Sequence, residues 1–223
     1  MDVTKFDWGN SNEWYKECIG KEVFQDKIYE RFFSVEGGDL VVDVGASVGI
    51  FTYSILEKNP SHVFCFEPSP EQFPTLNKNT LGGFVTCINK GLSDVDGLKT
   101  LKDVYGHNNQ PLEVFTMKFE TFISKYKIDK IDFLKTDCEG GEYDIFNIKN
   151  LIWIKNSVKK IVGEWHLESP QQKQQFREFR DVFLRIFDKY EIYSVDGANI
   201  KWDLWNEHFI QYYKQIIVYI DNR

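Results

Sequence analysis

Val41-Val42-Asp43-Val44-Gly45-Ala46-Ser47-Val48-Gly49-Ile50-Phe51-Thr52 reads as a buried strand that turns through glycines into a helix. Without side chains at Gly45 and Gly49 the backbone can approach a ligand closely, and Asp43 places an acceptor beside the turn. Roughly twenty residues further on, a second strand, Val63-Phe64-Cys65-Phe66-Glu67, ends in a carboxylate suited to ribose hydroxyls. Two such strand ends describe an adenosine site. The glycine pattern then separates the adenosine cofactors. A dinucleotide turn wants G-x-G-x-x-G for its pyrophosphate, whereas here the run is Asp43-x-Gly45-x-x-x-Gly49 with Ser47 between. A carboxylate at Asp43 would repel a pyrophosphate and attract the amino group of S-adenosylmethionine, so the methyl donor is favoured over a nicotinamide cofactor.

Around these strands the chain alternates. The spacing predicts an amphipathic helical arm over 12–33, a break at Gly37-Gly38-Asp39, and a first strand over 40–44. A helix follows over 48–58, with strands over 63–67, 84–89, 114–117, 131–135 and 160–164, and helices opening at Pro68-Ser69-Pro70, at Phe119 and at Pro170. Gly91 to Pro111 reads as a short hairpin or an extended loop, and two last strands, 191–195 and 215–220, close the sheet as an antiparallel pair. This is an α/β fold with a mostly parallel, doubly wound sheet. At 223 residues one domain is expected, with 1–38 as the helical arm and 39–223 as the α/β core.

A net charge of -7 disfavours a nucleic-acid partner. Lys155, Lys159 and Lys160 form a possible local basic patch, for which a solvated helix edge is the plainer reading. No apolar run approaches a membrane span, and the first residues resemble no secretory signal, so a cytoplasmic protein is expected. Cys18, Cys65, Cys87 and Cys138 lack close pairing in sequence, which argues against a zinc site or a disulfide framework. His62, His107 and His208 are expected to be surface or packing residues.

Ligands of open α/β sheets lie beyond the carboxyl ends of the strands. Asp137, Glu139 and Glu142 follow one such strand, and Glu164 and His166 follow the next. Methyl transfer to oxygen needs the acceptor held in line and its proton removed. A neutral His166 is the first candidate for that base and Asp137 the second, with Glu139 and Glu164 completing a catalytic floor. Asp137 could equally cap the following helix, and Glu142 lies where it would stabilise a helix start. Asp137, Glu164 and His166 also permit a divalent metal, although no ligand spacing supports one.

Four blocks resemble the FkbM family of S-adenosylmethionine-dependent methyltransferases: 41–49, Phe66-Glu67-Pro68-Ser69-Pro70, 131–142 and Gly163-Glu164-Trp165-His166. Ser47 stands where that family usually has Asn, Cys138 where it has Val, and Gly141 where Ala is common. The resemblance implies a class I methyltransferase (Rossmann-like) fold, seven strands with the last antiparallel, acting on hydroxyls of sugars or small natural products. It further implies that Asp43, Gly45, Ala46, Ser47 and Gly49 line the methionine end of the cofactor, that Glu67 and Pro68 meet the ribose, and that Gly91, Leu92 and Ser93 form the adenine edge. The acceptor pocket would be shaped by the N-terminal arm and by Trp202, Trp205, Phe209, Tyr212 and Tyr213, whose aromatic faces suit a glycan and equally suit a core. A nicotinamide-dependent oxidoreductase and a non-catalytic cofactor-binding scaffold are the competing readings.

Overall fold

The apolar run that opens the fingerprint becomes the centre of a seven-stranded sheet. In the computed structural model, which describes residues 3–101 and 111–223, the strands are β1 (Leu40–Val44), β2 (His62–Phe66), β3 (Val85–Ile88), β4 (Gly91–Ser93), β5 (Gly97–Leu101), β6 (Leu112–Lys118), β7 (Ile131–Thr136), β8 (Val158–His166), β9 (Tyr190–Ser194) and β10 (Gln215–Asp221). The helices are α1 (Glu13–Gly20), α2 (Ile50–Ile55), α3 (Phe73–Asn79), α4 (Phe119–Tyr126), α5 (Glu142–Ile145), α6 (Leu151–Ser157), α7 (Pro170–Glu178) and α8 (Glu207–Ile210). The large sheet runs β3-β2-β1-β7-β8-β10-β9, with β10 antiparallel to both of its neighbours and the other pairings parallel. The order reverses beside β1, where β2 lies on one side and β7 on the other, and that switch is where α/β sheets bind ligands.

Successive strand residues point to opposite faces, so each central strand feeds two cores. Val42, Val44, Phe64, Leu134 and Ile161 pack with α4 through Phe122 and with α7 through Phe176. Val41, Val63, Cys65, Phe133, Val162 and Ile217 pack on the other side with Phe51 and Ile55 of α2. The N-terminal segment belongs to this second core: Val23, Ile28, Tyr29 and Phe33 are buried in it, and the Tyr219 hydroxyl of β10 donates to Ile28 O at 2.5 Å. The predicted arm is therefore a layer of the fold. It is also broken, because α1 gives way to a π-helical turn over Lys21–Gln25 and then to a 3-10 turn over Ile28–Glu30. Such turns open the i→i−4 ladder and are frequent at functional sites.

The stretch expected to hold a hairpin forms a second sheet, β4-β6-β5, with β5 antiparallel to β6. Part of that stretch, and His107 with it, lies outside the described residues. The helix expected at Pro68-Ser69-Pro70 starts later, at Phe73, after a turn in which Phe73 N donates to Ser69 O. The aromatic side chains of α7 and the π-turn after it, Phe176, Phe179 and Phe183, lie in the core.

One expectation is corrected here. Lys155, Lys159 and Lys160 do not form a patch: Lys160 is buried and bonded to Asp39 and Ser34 O, Lys159 pairs with Asp132, and Lys155 bonds Asn222. Cys65 and Cys87, distant in sequence, sit in register on adjacent strands. Both observations have one cause, since sheet pairing sets neighbours that spacing along the chain does not report.

Candidate active site

The turn after β1 is shaped by what it must avoid. Gly45 has φ of 74°, and a Cβ there would stand 1.7 Å from the carbonyl oxygen of Asp137. Only glycine lets the β1 and β7 ends come together in this way. Ser47 (φ 51°) also adopts the left-handed conformation, as does Gly49 (φ 91°), whose missing Cβ leaves room for Leu76 and Thr80. Gly45 N and Ala46 N both donate to Phe66 O, so the turn is laced to the end of β2.

Glu67 at that end accepts from Ser47 N through Oε2 and from Ser69 N through Oε1, each at 2.8 Å. Burial nevertheless pushes its pKa up to about 7, against those two amides. A buried carboxylate short of donors is a ready acceptor for further O–H groups, as a ribose diol would supply. Pro68 borders it, lying 3.8 Å from where a Cβ of Gly91 would be. Leu92 and Ser93 are buried in the small sheet, where Ser93 Oγ donates to Asp144.

Asp43 departs from its expected role. It is fully buried, accepts from Thr52 Oγ1 at 2.8 Å and faces Lys135 Nζ at 3.2 Å. Burial works against the charge on Lys135, but Asp43 and Asp137 beside it hold its pKa above the usual lysine range. Lys135 Nζ in turn donates to Gly45 O at 2.9 Å. Asp43 thus braces the turn from below through Lys135, and its charge is answered by the protein before any ligand arrives. The lysine was visible in the sequence as the one cation of the buried strand Ile131-Asp132-Phe133-Leu134-Lys135-Thr136, a position that requires a partner.

The second half of the site forms where β7 and β8 end side by side. His166 is 2 % exposed; its Nδ1 lies 3.3 Å from Glu142 Oε1, and its Nε2 lies 3.3 Å from Glu139 Oε2 and 3.9 Å from Glu164 Oε1. Burial pulls the imidazole down, but the hydrogen bond and charge of Glu142, then Asp137 and Glu139, carry its pKa up to about 10. At neutral pH this is an imidazolium with carboxylates at both nitrogens, and the expectation of a neutral histidine is corrected. Glu142 opens α5 as expected, and its carboxylate turns inward, accepting Cys138 N at 2.9 Å as well as the histidine.

Glu139 stands above this pair with φ of 55°, a costly backbone for a non-glycine residue. Burial pushes its carboxyl up and His166 pulls it back, leaving it at about 7. Burial and then Asp137 hold Glu164 well above the ordinary carboxylate range. Asp137 does not cap a helix through its side chain; Oδ2 accepts the Tyr29 hydroxyl at 2.8 Å.

That contact belongs to the N-terminal layer, which sequence reading had placed at the acceptor pocket without naming its residues. Tyr15 Oη and Ser47 Oγ lie 3.1 Å apart, and Glu22 in the π-helical turn is close enough to Asp137 for that carboxylate to raise its pKa after burial has done so. Nothing local to Tyr15, Glu22 or Tyr29 marks them, since only the fold brings them to the turn. Of the aromatic tail, Trp205 packs against Arg180 and Arg185 and Tyr213 bonds Asp203, while Trp202 and Tyr212 remain exposed. Among the described residues no group of three or more His, Cys, Asp or Glu side chains is arranged to hold a metal ion, and no helix is long and apolar enough to cross a membrane.

Comparison with known proteins agrees with this geometry. The chain is similar to the hexuronic acid methyltransferase AglP of Haloferax volcanii, 26% identical over 152 residues that cover 64% of this chain and 62% of that protein. It is similar to the 31-O-demethyl-FK506 methyltransferase FkbM of Streptomyces tacrolimicus, 36% identical over 67 residues, covering 29% of this chain and 26% of that one. The chain thus spans less than two thirds of the length of these relatives. Among solved structures the fold is similar to a Listeria monocytogenes protein assigned to the S-adenosylmethionine-dependent methyltransferases, with a TM-score of 0.51, 9% identity, and coverage of 91% of this chain and 99% of that one. The methyltransferase FkbM domain model matches residues 43–190, from the aspartate of the glycine turn to the first residue of β9, and the chain belongs to that family.

Proposed function

We propose that this protein is an S-adenosylmethionine-dependent O-methyltransferase whose acceptor is a hydroxyl of a sugar or small natural product. The observation that carries the reading is the pairing of two strand-end features: Glu67, a donor-poor carboxylate at the glycine turn, and Glu139, a carboxylate at about 7 held beside an imidazolium. S-adenosylmethionine, when bound, supplies an electrophilic methyl on a cationic sulfur. Glu67 and the turn 43–49 hold its ribose and methionine ends, and Leu92 and Ser93 lie on the adenine side.

The acceptor hydroxyl must lose its proton as the new O–CH3 bond forms and the S–CH3 bond breaks. His166 already carries a proton at neutral pH and is paired on both nitrogens, so Glu139 takes the acceptor's proton. His166 then acts as its positioning residue, lowering the carboxyl's pKa to a value matched to neutral pH and fixing its rotamer. Asp137, oriented by Tyr29, is placed to accept from the acceptor's other hydroxyls, and Glu164, whose burial favours the protonated form, lies beside it.

The charge of this floor supports the choice of acceptor. Asp137, Glu139 and Glu142 surround a single imidazolium, so an acceptor that carries a carboxylate, as a uronic acid does, would meet like charge. A hydroxyl would not. The relative named for 31-O-demethyl-FK506 supports an oxygen acceptor.

Calorimetric titration with S-adenosylmethionine, its demethylated product and NAD, repeated with Glu67→Ala, tests the cofactor. Micromolar binding of the first two, lost in the variant and absent for NAD, is expected; tight NAD binding would overturn it. Methyl transfer onto a panel of hydroxylated sugars and macrolides, set against their uronic acids, tests the acceptor. Turnover confined to the acids would sink the hydroxyl reading.

A further inference from the structure

Four side chains lie in one row across the sheet. Strand register puts Lys135 of β7 opposite Asp43 of β1, Asp43 opposite Cys65 of β2, and Cys65 opposite Cys87 of β3. Polar contacts join Lys135, Asp43 and Cys65. Lys135 meets Asp43, Asp43 accepts from Thr52 Oγ1, and Thr52 Oγ1 lies 3.2 Å from Cys65 Sγ. With the Thr52 proton given to Asp43, the Cys65 thiol donates to Thr52 Oγ1, and Thr80 Oγ1 lies 3.2 Å from Cys87 Sγ. One end of the row braces the cofactor turn through Lys135 and Gly45 O; the other reaches β3, the edge strand, where Cys87 is only half-buried.

We propose that Cys65 and Cys87 form a peroxide-reactive dithiol, a covalent modification site behind the cofactor turn whose oxidation weakens S-adenosylmethionine binding. Cys87 is the attacking group. It sits at the half-buried edge, where an oxidant from solvent reaches it before Cys65. Cys65 is fully buried, out of reach of solvent oxidants, and directly opposite Cys87 in the strand register. Neighbouring strands stand about 4.7–4.9 Å apart, which is inside the Cα range of disulfides but near its short end. A bond formed there is strained and readily reduced, the property of a labile bridge.

The chemistry closes with hydrogen peroxide as the oxidant. The Cys87 thiolate attacks one peroxide oxygen, the O–O bond breaks, and hydroxide leaves to give a sulfenic acid. The Cys65 sulfur, losing its proton to that hydroxide, attacks the Cys87 sulfur; the S–S bond forms, the S–O bond breaks, and the departing hydroxide, which carries the sulfenic hydrogen, takes up the proton that Cys87 released on ionising and leaves as water. Overall, two thiols and one peroxide become one disulfide and two waters, two electrons passing from sulfur to oxygen. Cys65 can no longer keep its place against Thr52, and Thr52 is the hydroxyl that holds Asp43.

The binding clause rests on the cofactor reading above; the dithiol clause does not. Purified protein treated with one equivalent of hydrogen peroxide should lose two hydrogens in mass, with peptide mapping placing a disulfide between Cys65 and Cys87. Calorimetry should show S-adenosylmethionine binding at least five-fold weaker, restored by dithiothreitol. Cys87→Ser should bind the cofactor like the reduced protein and ignore peroxide, while Cys65→Ala should stop at a sulfenic acid on Cys87, detected by dimedone. A disulfide elsewhere, oxidation confined to Cys18 or Cys138, or unchanged affinity in the mapped disulfide form would overturn the proposal. Reduced protein that binds no S-adenosylmethionine would count against the cofactor reading, and the peptide map would then decide the dithiol alone.

Discussion

The two halves of the site are built on opposite principles. At the cofactor turn the decisive groups are backbone: Gly45 N and Ala46 N on Phe66 O, Lys135 on Gly45 O, and Ser47 N and Ser69 N on Glu67. At the floor they are ionisable side chains, with Glu139, Glu142 and Glu164 all within 3.9 Å of the His166 ring nitrogens. The first arrangement is rigid and indifferent to pH across the neutral range, apart from Glu67. The second exchanges stability for protonation states available near neutrality, as reactive sites do. A methyl donor needs to be held, whereas an acceptor needs to be deprotonated, and the contrast follows that division of labour.

The contrast breaks most severely at Gly45. Gly45→Ala would drive a Cβ to 1.7 Å from the Asp137 carbonyl, so the ends of β1 and β7 must separate. Several kcal/mol of stability should go, on the order of 4 kcal/mol, with cofactor binding lost outright; denaturant unfolding and calorimetry check both.

Glu142→Gln should cost about 3 kcal/mol, because it removes the buried partner of His166. Its pH signature is the sharper test. The folded-state pKa of His166 lies at about 10, above an unfolded value of 6.5, so the ion pair's contribution is complete below pH 6.5 and is lost as pH rises toward 10. Unfolding free energy of the wild type should therefore fall across that window, and the variant's profile should be flatter there. Equal slopes would mean that His166 is not held charged.

For Glu139→Gln the fold should survive while turnover falls by about 10²-fold or more. In the wild type kcat/KM should rise with pH through about 7, as the Glu139 carboxyl loses its proton. His166→Asn should move that midpoint upward, since the cation that favours the carboxylate is gone. A midpoint unmoved by this change would transfer the base to another group.

The smallest effect belongs to the turn. Ser47 occupies a left-handed conformation that asparagine tolerates better, so Ser47→Asn should stabilise the protein by a few tenths of a kcal/mol, about 0.3 kcal/mol, measured by thermal unfolding. Destabilisation would show that the contact between Ser47 Oγ and Tyr15 outweighs the backbone gain.

Much of this molecule was legible before folding. A strand buried on both faces is a continuous apolar run, and a tight strand-to-helix turn needs glycines, so 41–52 carried the fold's centre and the cofactor turn in its own letters. The carboxylates at the ends of β2, β7 and β8 were legible for the same reason, since each follows an unmistakable strand. What each charged group does was not. Asp43 looked like a ligand for the cofactor's ammonium until Lys135 was found beside it, and His166 looked like a base until Glu139 and Glu142 were found at its two nitrogens.

By itself, then, the sequence determined the α/β layering, the strand ends that face a ligand and the family of the cofactor turn, because these depend on local periodicity and on the backbone freedom of single residues. Only the tertiary structure decided the protonation states at the floor, the arrival of Tyr15, Glu22 and Tyr29 from the N-terminal layer, and the meeting of Cys65 with Cys87. Those depend on which strands and layers become neighbours, and electrostatic interaction falls with distance through space, without regard to distance along the chain.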